Sequence, residues 1–264
     1  IKEKYYIPNN SLLIVAGDVN TDEVKYLIDE YFAGWKAGPD PFEVDPPERT
    51  PPLDSVKTVV DYVEVPTVHA ALRWHGPSIG IDDKATFAAD VFLYIVLQQE
   101  HEYRKKLEES GLAQNITFWY YTQRYVGPIS ADITTTPDKL AETMRIFWQQ
   151  INKFDDPNYF TEEDLETAKA VLRNRIILDS EKLSEFAHTL SFWWASAGLD
   201  YYERYLDELN KITKADIRDY VQKYVKGKPY VLGLALSKAS EQKIQQLTGK
   251  PFDPRNYLHT TVNP

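Results

Sequence analysis

The 264 residues include 43% hydrophobic and 27% charged side chains, six Trp and no Cys, which is the balance of a folded globular chain rather than a disordered or collagen-like one. A net charge of -10, with no stripe of clustered Lys and Arg along the chain, argues against a nucleic-acid surface, and the lack of Cys excludes disulfides, thiolate metal sites and a Cys nucleophile. No apolar run reaches the roughly 18 residues of a membrane-spanning helix, and the length allows one large domain or one domain with part of another.

Ser11 to Val19 predicts a buried strand, because Leu12, Leu13, Ile14, Val15 and Ala16 form a short apolar run between Asn9-Asn10 and Gly17-Asp18. The chain opens on Ile1 without a signal-like segment and meets this strand at once, so we expect further residues upstream in the encoded protein. A helix follows. Asn20 or Thr21 can cap it, Asp22 and Glu23 suit its positive end, Val24, Leu27, Ile28, Tyr31 and Phe32 share a face, and Gly34 or Gly38 ends it.

Pro39, Pro41, Pro46, Pro47, Pro51 and Pro52 fix too many φ angles for a helix or central strand, so residues 39–55 read as an extended linker. Val56 to Val65 and Thr67 to Trp74 then predict two strands parted near Pro66, and a second domain running from 56 to 264. Asp82 to Gln99 predicts a helix with Phe87, Val91, Tyr94 and Ile95 inward, followed by a shorter charged helix from His101 to Ser110 that Gly111 terminates. Asn115 to Tyr125 and Gly127 to Thr136 read as paired strands. The clearest amphipathic helix carries Leu140, Thr143, Met144, Phe147, Trp148, Ile151 and Phe154. Thr161 with Asp164 and Thr213 with Asp216 resemble capping boxes; the first opens a helix to about Leu178, ahead of another over Glu181 to Ala197. The second opens a helix with Ile217, Tyr220, Val221 and Tyr224 on one face, which Gly227 stops before a strand from Tyr230 to Leu236. An irregular tail with one short helix completes the reading.

Lys4, Tyr5, Leu13 and Ala16 recur as Lys223, Tyr224, Leu232 and Ala235, all displaced by the same number of residues. The shared order of helix, loop and strand suggests an internal duplication whose first copy is shortened, with residues 1–38 as the end of a first domain.

The run Tyr5-Tyr6-Ile7-Pro8-Asn9-Asn10-Ser11-Leu12-Leu13-Ile14-Val15-Ala16-Gly17-Asp18 resembles a stretch late in the first domain of M16 (pitrilysin/insulinase-like) zinc metallopeptidases. Lys106-Leu107-Glu108-Glu109-Ser110-Gly111-Leu112-Ala113 and Arg73-Trp74-His75-Gly76-Pro77-Ser78 are similar to segments of that family's second domain, so the resemblance spans about residues 1–240. It implies an α+β, two-layer sandwich with a mostly antiparallel sheet and helices on one face, the M16 peptidase-like, LuxS-like metallohydrolase fold. It also implies paired halves enclosing a chamber in which unfolded peptides are cut, as a homodimer or heterodimer of M16 subunits. A bacterial periplasm or cell envelope is then favoured over the cytoplasm.

In that family zinc is held by an inverted His-x-x-Glu-His motif of the first domain, and no such motif occurs in this sequence. Zinc is therefore expected in an upstream domain of an active parent, and no cofactor in this chain. His69 and His75, on one face of a strand, would lie about 20 Å apart, too far to share a metal. His101-Glu102 has Lys105 where a zincin motif needs its second His, so a solvated helix terminus is expected there. Several family members use an Arg and a Tyr of the second domain to hold substrate, and the matching positions here are Leu107 and Gln114. Adjacent carboxylates such as Glu108-Glu109 or Glu162-Glu163-Asp164 read as helix-end caps and solvated groups.

The remaining role is scaffolding and peptide capture. An extended peptide can add to a sheet edge whatever its sequence, and Phe118-Trp119-Tyr120-Tyr121 is the candidate lining, with Trp119, Tyr121 and Gln114 as candidate substrate contacts. The competing structural reading puts Phe118 and Tyr120 in the core and Trp119 and Tyr121 at an interface. Phe192-Trp193-Trp194 and Tyr201-Tyr202 are expected to pack helices. The sequence thus reads as the non-catalytic C-terminal domain of an M16 metalloendopeptidase, or else as an inactive M16-like partner of an active subunit.

Overall fold

The computed structural model describes residues 1–259. They form two compact units, residues 1–50 with 174–204, and residues 51–173 with 205 onward.

In the first unit α1 (Lys2–Tyr5) precedes α2 (Thr21–Phe32), which Asn20 caps by accepting from the backbone N–H groups of Asp22 and Glu23 at 2.9 and 3.2 Å. The predicted strand over Ser11–Val19 does not form: among the described residues the segment pairs with no other strand, and Leu13 and Val15 stand about half exposed. The cause is the lack of a ladder. An apolar run becomes a strand only where neighbours supply hydrogen-bond partners, and this unit contributes none to the sheet. The proline-rich segment holds one short helix, α3 (Pro41–Val44), started by the Asp40 carboxylate.

The second unit holds a five-stranded sheet in the order β1-β5-β2-β4-β3. Its strands are β1 (Lys57–Tyr62), β2 (Val68–Gly76), β3 (Ala113–Tyr120), β4 (Gly127–Thr135) and β5 (Tyr230–Leu236). β1 runs parallel to β5; the other pairs are antiparallel. Burial alternates along β2, with Val68, Ala70, Leu72 and Trp74 covered and His69, Ala71, Arg73 and His75 on the open face, as expected for a sheet covered by helices on one side. This is the two-layer α+β arrangement expected from sequence.

On the covered face lie α4 (Asp83–Val96) and, after α5 (Glu102–Arg104) and a π turn at Lys105–Glu109, α6 (Leu140–Lys153). Then follow α7 (Glu162–Glu181), α8 (Leu183–Ser196), α9 (Leu199–Lys211), α10 (Lys214–Tyr224) and α11 (Lys238–Thr248). The charged helix expected from His101 to Ser110 is thus a short α-turn running into a π turn. Both Thr–Asp capping boxes form, with Thr161 and Thr213 bonded reciprocally to Asp164 and Asp216. Helix α9 is absent from the sequence reading, although Tyr201, Tyr205 and Leu209 are buried at i, i+4, i+8 spacing, a stripe that continues from the Tyr201-Tyr202 pair expected to pack helices. Trp193 of α8 stacks on Tyr201 at 5.1 Å between ring centroids, which is the helix packing expected of that aromatic group.

Aromatic side chains fill the core between layers. The Phe92 ring of α4 meets Phe154 at 4.9 Å, Phe118 of β3 at 5.8 Å and Tyr220 of α10 at 6.0 Å. At the end of the sheet Gly76 pairs directly with Gly127, and a Cβ at 127 would lie 2.1 Å from the Pro77 carbonyl oxygen and 2.4 Å from the Tyr120 ring. Tyr120 donates its hydroxyl to that same carbonyl at 2.9 Å. Backbone must shift to admit a methyl group here, so Gly127→Ala should destabilise the fold by about 1–3 kcal/mol. Urea unfolding of the variant at unchanged slope would measure it, and a loss within 0.3 kcal/mol of zero would show that the strand ends are looser than described.

Candidate functional site

A sheet has two edges, and here they differ chemically. β1 carries Lys57 and Asp61, the kind of charged side chains that blunt an edge. β3 reads Ala-Gln-Asn-Ile-Thr-Phe-Trp-Tyr, with no charge and no proline, and among the described residues pairs only with β4. Every second residue of such a strand directs its N–H and C=O away from its neighbour.

Side chains on β3 divide as the pleat requires. Ile116, Phe118 and Tyr120 are buried against the helices, while Trp119 is 37% and Tyr121, just past the strand, 43% exposed. The structural reading of this strand therefore holds for Phe118 and Tyr120. Trp119 is held upright by a group of residues that the sequence did not point to. Its indole Nε1–H donates to Asp132 of β4 at 3.0 Å, Asp132 pairs with Arg73 of β2 at 2.6 Å, and the Arg73 guanidinium sits 5.6 Å from the indole ring centroid. Thr117 Oγ1 reaches the same carboxylate at 3.4 Å. A half-exposed ion pair of this kind adds little stability, about 0–1 kcal/mol, but its planar partners fix the ring's orientation. Only the register, Trp119 beside Ser130 and Arg73 beside Ser130 from the other side, brings these three strands' residues together.

Gln114 lies apart. It is the extra residue of a bulge between Ala113 and Asn115, exposed and five residues from Trp119, about 16 Å along a strand. Leu107, in the π turn, is fully buried in the core and faces no open surface.

Two of the histidines serve local structure. His69 bridges the Thr67 and Thr134 hydroxyls at 3.1 Å each. His101 is not the solvated terminus expected: it is buried beside Tyr159, its ring centroid 4.9 Å away, and its Nδ1 accepts from the Tyr103 N–H, so that burial holds its pKa below the ordinary value. Among the described residues no three of His, Asp and Glu converge as a metal site would require. Glu108 pairs with Arg104 one turn away, and Asp164 caps its own helix.

The family known as the peptidase M16 inactive domain matches residues 1–172. The chain belongs to that family. No curated protein sequence matches it. Among solved structures, this M16 domain is similar to a protease from Helicobacter pylori, at TM-score 0.77 and 17% identity over 89% of this chain and 58% of that one. It is also similar to a protein from Enterococcus faecalis V583, at 0.65 and 14% over 84% and 51%, and to the periplasmic protease PqqL from Escherichia coli, at 0.60 and 14% over 84% and 25%. At these identities the likeness is one of fold, and the M16 domain spans little more than half the length of the first two structures. The recognition made from the Tyr5–Asp18 and Lys106–Ala113 segments thus agrees with the family match.

Proposed function

We propose that this M16 inactive domain holds an extended peptide against β3 within the chamber of a zinc metalloendopeptidase whose metal and catalytic residues lie in a separate M16-type domain. The observation that carries the reading is an uncharged outermost strand with a fixed, exposed Trp119 beside Tyr121. Main-chain pairing accepts any sequence, and the aromatic pair adds contacts to alternate peptide side chains. Gln114, at the bulge, would meet the peptide's far end.

The division into residues 1–38, 39–55 and 56–264 belongs to the same reading, the first being the end of the neighbouring M16-type domain. Helix α2 supports it, since Leu27, Tyr31 and Phe32 form an apolar face and remain exposed. The periplasmic setting named for one structural neighbour fits an envelope location.

The test is fluorescence anisotropy of a labelled, unstructured peptide of about 12 residues, long enough to cover an edge strand, titrated with the 264-residue chain and with two variants. Trp119→Ala should weaken binding about fivefold or more, and Asn115→Lys, which places a charge on the edge, should do likewise. Equal affinity for all three proteins, each folded by circular dichroism, would rule out β3 as the binding edge.

A further inference from the structure

We draw no further inference here: the strongest candidate, the apolar surface patch where α7 meets α8, with Ile177, Leu178 and Leu183 exposed, carries nothing because no feature among the described residues shows what covers it.

Discussion

Replacing Asp90 with Asn is expected to stabilise the fold at pH 8 and to flatten its dependence on pH. Asp90 lies on α4, buried, and the Tyr205 hydroxyl donates to its Oδ2 at 2.5 Å. Burial pushes its pKa up from 3.8 to about 7, against the Tyr205 hydrogen bond, which pulls it down. The folded chain thus keeps a proton that the unfolded chain releases. The stability this contributes is fully present below pH 3.8 and is lost as pH rises through about 7. At about 1.4 kcal/mol per pKa unit, the wild type should lose roughly 2–3 kcal/mol between pH 5 and pH 8 through this group alone. An Asn side chain still accepts from Tyr205 and has no proton to lose. Urea denaturation of both proteins at the two pH values measures the difference, and an equal gap between them at pH 5 and pH 8 would refute the assignment.

The largest loss should follow from Phe92→Ala. Phe92 is fully buried and is the point where α4, β3, α10 and the Phe154 segment meet. Removing its ring takes away the transfer free energy of the side chain and leaves a cavity between four elements that cannot all move inward together, which costs about 3–5 kcal/mol. By contrast Phe192→Ala, at a half-buried position of α8, should cost much less. Denaturant midpoints of the two variants test this, and comparable losses would mean that the core is not centred on Phe92.

Local signals in the sequence carried most of the fold. The Asn20 cap, the Thr161–Asp164 and Thr213–Asp216 boxes, and the alternation of Phe118 with Trp119 each depend on residues a few positions apart, so each could be read directly. What depended on pairing could not. Leu12–Ala16 has the composition of a strand but lacks neighbours, and its counterpart Tyr230–Leu236 forms one because β1 and β2 flank it. The group that fixes Trp119 comes from β2, β4 and β3, whose order in the sheet no local pattern reveals.

The central claim is that β3 receives a peptide as an added strand, and amide hydrogen exchange of the chain with and without a saturating unstructured peptide tests it most directly. The claim predicts slower exchange confined to Asn115–Trp119, with β1 at the opposite edge unchanged. Binding that leaves Asn115–Trp119 unprotected, or that protects β1 instead, would contradict it.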